Sequence, residues 1–209
     1  MDFLNSIILL TNFIIVPGIT YGSQLALGAI GVTLIYGVLR FANFAYGDLM
    51  AFGTMIVILV TWFLQSKGIT FGLLPTALLA LPVGILLTIA VSLFFDKTVF
   101  EYYRNKKSDP VTFIVVSLGI MFVLNAVVRI IIGPNDINFM DGHKFIMKAR
   151  EFKQMTGLNE GLALKSTQVI TLITTIITCS ILFYFLNKTK TGKSMRAYSN
   201  NEDLALLSG

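Results

Sequence analysis

Three stretches of this chain, residues 71–95, 111–132 and 167–186, are apolar over a helix's worth of length and together hold a single charge, Arg129. A helix rising about 1.5 Å per residue needs roughly 20 such residues to cross the ~30 Å hydrocarbon layer of a bilayer. In lipid no water satisfies backbone N–H and C=O groups, so a spanning segment must be a helix or part of a closed barrel. Runs this long select the helix. Composition agrees: 55% of the 209 residues are hydrophobic and 13% charged, against roughly 25% charged in soluble domains. The lone Cys179 and the 17 phenylalanines argue against a disulfide scaffold and a disordered chain. The expected fold is all-α, a polytopic transmembrane helical bundle forming one membrane domain over residues 1–209.

The first half is less regular. Apolar runs at 7–16, 25–39 and 49–64 are each short for a span, and are separated by Pro17-Gly18 and by the polar stretch 40–48. This predicts broken or tilted helices in the N-terminal half. Met1 to Ser6 contain Asp2 and no Lys or Arg, unlike a signal peptide. Orientation follows the basic residues. Lys97, Arg104, Lys106 and Lys107 lie in one connection, and Lys188, Lys190, Lys193 and Arg196 follow the last span. Two spans separate these groups, so they share a side, which the positive-inside rule makes the cytoplasm. Residues 133–166 then form an external loop whose five basic residues are diluted by Asp136, Asp141, Glu151 and Glu160. The net charge of +5 sits in such connections rather than on a basic stripe with interleaved aromatics, so no nucleic-acid partner is expected.

Polar groups at membrane depth are costly, about 2.5–3.5 kcal/mol for a central Asp or Arg on the insertion scale. Arg40, Asn43, Tyr46, Gly47 and Asp48 interrupt two short apolar runs. Two readings fit: a cytoplasmic turn with surface charges, or a discontinuous helix of the kind that lines transporter pathways. The Gly18-x-x-x-Gly22 spacing suits close helix packing. Arg129, one turn before Gly133-Pro134, can snorkel to the outer interface or meet substrate. His143 has no neighbouring ligand residue, Cys179 suits a small core position, and the hydroxyls of 170–178 can bond back along their helix. Gly192-Lys193-Ser194 lacks the first glycine of a phosphate loop, and the sequon Asn187-Lys188-Thr189 falls on the expected cytoplasmic side. No catalytic residues, metal site or bound cofactor are expected. In the tail, Thr191-Gly192 predicts a turn, and Asn200 or Asn201 a cap for a helix starting at Glu202-Asp203 and carrying Leu204, Leu206 and Leu207. Such a helix either lies on the membrane or docks a partner.

With those residues in view, the chain resembles the permease subunits of bacterial ABC importers for branched-chain amino acids. One anchor runs from Gly22-Ser23-Gln24 through Tyr36-Gly37 to Asn43-Phe44-Ala45-Tyr46-Gly47-Asp48. The other is Thr191-Gly192-Lys193-Ser194-Met195-Arg196-Ala197 leading to Asn201-Glu202-Asp203-Leu204-Ala205-Leu206-Leu207-Ser208-Gly209. The resemblance implies a multi-pass bacterial inner-membrane protein that hydrolyses nothing itself. Its partners would be a second permease subunit, two cytoplasmic ABC ATPase subunits that use the ATP, a periplasmic substrate-binding protein and the lipid bilayer. Asn43, Tyr46, Gly47 and Asp48 would shape the translocation path. Residues 187–209 would form the cytoplasmic coupling segment, with Gly192, Arg196, Ala197, Glu202, Leu204 and Leu207 meeting the ATPase. Importers of urea, amides and other small polar nutrients share these features, and an ion-coupled secondary transporter is the rival of another class. Members of the family continue past the coupling segment with further spans, so a C-terminally truncated permease is expected here.

Overall fold

The computed structural model describes residues 2–72, 74–135, 139, 141 and 145–200. Its helices are α1 (Asp2–Leu10), α2 (Val16–Leu39), α3 (Ala45–Ser66), α4 (Ala77–Phe95), α5 (Glu101–Asn105), α6 (Pro110–Ile132), α7 (Ala149–Thr156), α8 (Ser166–Lys188) and α9 (Lys190–Asn200). Turns of π-helix at Thr11–Ile15 and Asp96–Phe100 join neighbouring helices without a break. Among the described residues, five helical runs are long and apolar enough to cross a membrane: Phe3–Leu39, Ala45–Ser66, Ala77–Asn105, Pro110–Ile132 and Ser166–Lys188. The polytopic all-α expectation holds. The segment expected as an external loop adds a helix, α7, and two short antiparallel strands, β1 (Phe145–Met147) and β2 (Leu164–Lys165). Large apolar side chains such as Phe13, Ile130 and Phe183 remain 72–82% exposed, as suits helices whose surroundings are lipid rather than water.

The chain divides into two compact units, Leu39–Gly142 and the combination of Met1–Val38 with His143–Gly209. In the first, α3 and α4 run antiparallel, with Gly53 beside Thr88 and Gly84 against Val57. A Cβ built on Gly53 would sit 2.7 Å from the Thr88 hydroxyl, and one on Gly84 would overlap the Val57 side chain. Small residues at a helix contact let backbones approach, the main source of helix association in lipid. Helix α6 lies parallel to α3, since Phe44 meets Ser117 and Asp48 meets Asn125. Phe41, Ala45, Phe100, Ile120 and Leu124 form the buried core of this unit. Phe41 stacks on Phe113 at 5.2 Å and tilts against Phe100 at 5.8 Å, within the separations aromatic pairs prefer.

Beyond that core, two exposed contacts hold the α4–α5 end. Arg104 pairs with Asp96 at 2.6 Å, and Lys106 sits over the Tyr102 ring at 4.4 Å. The side-chain hydrogen bond with Tyr102 raises the Lys106 pKa above the usual lysine value.

The second unit is tied by asparagines. Asn12 acts as a peptide group would: its Nδ2 donates to the Gly161 carbonyl at 2.7 Å while its Oδ1 accepts from the Ala163 N–H at 3.0 Å. Asn5 accepts from the Glu160 N–H at 3.4 Å. At α8 the Gln168 side chain reaches back to the Lys165 N–H at 3.0 Å, taking up one of the donors a helix start leaves open. Thr171, Thr174 and Thr175 bond back to the carbonyls of Thr167, Ile170 and Thr171, as expected for that hydroxyl-rich run.

Four local expectations are corrected. Pro17 does not end a helix: the π turn at Thr11–Ile15 widens the ladder just before it, relieving the clash and lost hydrogen bond of an interior proline. Gly18 and Gly22 do not pack against a helix, since a Cβ at either meets nothing within 4 Å among the described residues. The apolar run from residue 71 becomes helical only at Ala77, where the Asp141 carboxylate accepts the Ala77 N–H at 2.6 Å and fixes the start of α4. Thr191 and Gly192 lie inside α9, not in a turn, because Thr189, the residue before α9, takes the extended N-cap conformation and its hydroxyl accepts the Gly192 N–H at 3.0 Å. The expected helix from Glu202, with Leu204 and Leu207, lies outside the described residues, as do His143 and Asp136.

Candidate functional site

The polar interruption at 40–48 is a true break between α2 and α3. Arg40 adopts φ 59°, a left-handed backbone that costs a residue with a Cβ about 1–2 kcal/mol. Ending one helix and starting another frees backbone N–H groups, and those of Phe44, Ala45 and Tyr46 have partners. The Phe44 N–H donates to the Ser117 hydroxyl at 3.1 Å, and that hydroxyl donates onward to the Ile114 carbonyl at 2.7 Å. The Ala45 N–H donates to the Asn43 side-chain oxygen at 3.0 Å, and the Tyr46 N–H to the Asn43 carbonyl at 3.4 Å. Ser117 is fully buried, while Phe44 is half exposed.

The position of the break along α6 bears on the two sequence readings. Phe44 lies level with Ser117, seven residues past Pro110 on α6. At ~1.5 Å per residue, that is about 10 Å inside the helix end. A surface turn would lie level with the end itself. The break therefore lies alongside α6 rather than level with its end.

Each expected path residue has its place. Asn43 is half-buried and caps α3 with both its side-chain and main-chain oxygens. Tyr46 is half-buried, and Gly47 is exposed with open space where a Cβ would be. Asp48, one turn into α3, accepts from the Asn125 Nδ2 at 3.0 Å, and the Asn125 Oδ1 accepts from the Arg129 Nε at 2.9 Å. These three residues line a cavity of about 320 Å³ between α3 and α6. Asn125 escaped the sequence reading. It is a single amide in an apolar helix, and only the fold sets it beside Asp48.

In the tail, Gly192, Arg196 and Ala197, three of the residues expected to meet an ATPase, lie at the α8–α9 corner. A Cβ on Gly192 would overlap the Phe185 carbonyl and the backbone of Leu186, so only glycine lets α9 turn this tightly. Arg196 donates to the Asn187 Oδ1 at 2.8 Å, and Asn187 in turn donates to the Phe183 carbonyl at 2.9 Å. Ala197 is exposed. The corner thus presents a short helix, α9, whose angle to α8 is set by one glycine, one threonine cap and one arginine.

Residues 14–209 match the family described as branched-chain amino acid transport system / permease component. The high-affinity branched-chain amino acid transport system permease protein LivH of Escherichia coli (strain K12) is 25% identical over 196 residues, covering 92% of this chain and 60% of LivH. LivH of Salmonella typhimurium is 24% identical over the same length, and the permease protein BraD of Pseudomonas aeruginosa 23% identical over 204 residues. The chain spans 60–61% of the length of these relatives. No solved structure matches it. The matched region takes in the break, the α3–α6 seam and the α8–α9 corner, carried by helices that can cross a membrane several times. This multi-pass membrane chain belongs to the branched-chain amino acid transport permease family.

Proposed function

We propose that the chain works as a permease subunit of an ATP-driven importer, carrying branched-chain amino acids across the bacterial inner membrane. The observation that carries this reading is the helix break alongside α6, capped by Asn43 and Ser117 and followed one turn later by Asp48 at a cavity, in a chain of this family. An amino-acid zwitterion entering dry lipid would lose the hydration of two charges, an effective cost of several kcal/mol per ion. A passage bounded by protein polar groups avoids most of that cost, and alternating access opens it to one side at a time.

Asn43, Tyr46, Gly47 and Asp48 shape this passage. The α8–α9 corner, with Gly192, Arg196 and Ala197, continues into Glu202, Leu204 and Leu207 as the segment that docks on a cytoplasmic ATPase. ATP is consumed by two such partners. A second permease subunit completes the passage, and a periplasmic binding protein delivers the ligand to the face formed by residues 133–166.

The test is retention of the ATPase on the chain in detergent extracts of membranes, together with leucine uptake by the reconstituted transporter. The ATPase should copurify with the native sequence and be lost when Leu204 and Leu207 are both changed to Asp. Uptake should need ATP and persist when sodium and proton gradients are collapsed. Uptake that follows either gradient without nucleotide would establish an ion-coupled transporter instead.

A further inference from the structure

The cavity between α3 and α6 brings opposite charges together without letting them pair. Asp48 and Arg129 both line it, yet they form no ion pair among the described residues. Asn125 stands between them, occupying one edge of each: Oδ1 of Asp48 and Nε of Arg129. The other carboxylate oxygen of Asp48 and both terminal guanidinium nitrogens of Arg129 have no hydrogen bond among the described residues. The rest of the wall includes Ile58, Trp62 and Ile132. An apolar cavity of about 320 Å³ with a few convergent polar groups has the size and lining of a small-molecule site.

We infer that this cavity binds a free α-amino acid, with Asp48 taking the ammonium group and Arg129 the carboxylate. A salt bridge closed between Asp48 and Arg129 would leave little for a ligand. The interposed amide holds the charges apart and fixes their orientation, so that one compact zwitterion can bridge both. A planar guanidinium offers paired donors matched to a carboxylate. The ammonium meets an acceptor-only group in Asp48. Ile58, Trp62 and Ile132 then receive an aliphatic side chain. A molecule with one of the two charges satisfies half the site and leaves the other charge unbridged, which gives selectivity for zwitterions over amines and acids. This assignment rests on the transport reading above and adds the chemistry of recognition to it.

Trp62, the one tryptophan of the chain, supplies a reporter on the cavity wall. The experiment uses the solubilised transporter with its ATPase and permease partners and without binding protein, titrated with L-leucine while emission is recorded. Leucine should change an emission component that is absent from Trp62→Phe. The ligands 3-methylbutylamine and 4-methylpentanoate each lack one of the two charges. They should bind the native protein about tenfold more weakly or worse, as expected for the loss of a charge-assisted contact. Asp48→Asn and Arg129→Gln should each lose leucine affinity by a similar factor. Asp48→Asn should weaken the amine but not the acid, and Arg129→Gln the acid but not the amine.

Copurification of the ATPase shows that a variant has assembled. Should neither variant assemble, the three-ligand comparison on the native protein still decides. Leucine binding no tighter than the amine or the acid would overturn the assignment, as would assembled variants with native affinity. A transporter that imports leucine with ATP yet shows no leucine signal at Trp62 would overturn this site alone. One that imports nothing with ATP would overturn the transport reading beneath it.

Discussion

The two ends of the α3–α6 seam are built on opposite principles. At one end, Phe41, Ala45, Phe100, Ile120 and Leu124 are buried around stacked rings. At the other, one carboxylate, one amide and one guanidinium form a chain of hydrogen bonds along an open cavity. The break in the backbone lies within the apolar end, its Phe44 and Ala45 N–H groups tied to Ser117 and Asn43. Packing is cheap to keep in lipid and gives rigidity, whereas polar groups at depth are costly and are kept for what they bind. The dry end therefore anchors the start of α3, and the polar end is the one we propose recognises a ligand.

That contrast predicts crossed effects. Phe41→Ala should be the most damaging change to the fold, costing about 3–5 kcal/mol as a truncated buried aromatic does. A thermal melt of the solubilised complex should show a large drop, with leucine affinity in the surviving folded fraction unchanged. Ser117→Ala should cost about 1 kcal/mol by removing the acceptor of the part-buried Phe44 N–H. Hydrogen exchange at Phe44 should accelerate in that variant more than at residues further along α3. Asn125→Ala removes two exposed hydrogen bonds and should cost about 1 kcal/mol or less in stability, while weakening leucine binding far more than Phe41→Ala does. Equal binding losses in these two variants would erase the division between the ends. Arg104→Ala, outside both regions, breaks a pair whose side chains are about half exposed and should move the melting point least, within the 0–1 kcal/mol of surface pairs.

Much of the bundle is legible in residue order because a bilayer imposes a length on every apolar run. The stretches at 111–132 and 167–186 become α6 and α8 within one or two residues of their sequence limits. The errors arise where distant residues or local backbone adjustments act. The start of α4 moved from 71 to Ala77 because Asp141, far along the chain, supplies the cap. Pro17 looked like a terminator, but a π turn absorbs it, and Asn12 within that turn bonds to Gly161 and Ala163. The site was half readable. Asp48 stood out as a charge between apolar runs, and Arg129 as a charge within one. Asn125 did not, since a single amide in a hydrophobic helix carries no pattern until Asp48 is brought beside it by folding.

The close approach of α3 and α4 bears on how relatives of this chain should be compared. No side chain, not even a methyl, fits at Gly84 against Val57, so descent should hold that position to glycine whatever the cargo. Positions ranked by invariance would then mix Gly84, fixed by carpentry, with Asp48 and Arg129, which touch the cavity. Differences in diet among bacteria should be sought along the wall at Ile58, Trp62 and Ile132, where drift can reshape what is accepted without loosening the frame.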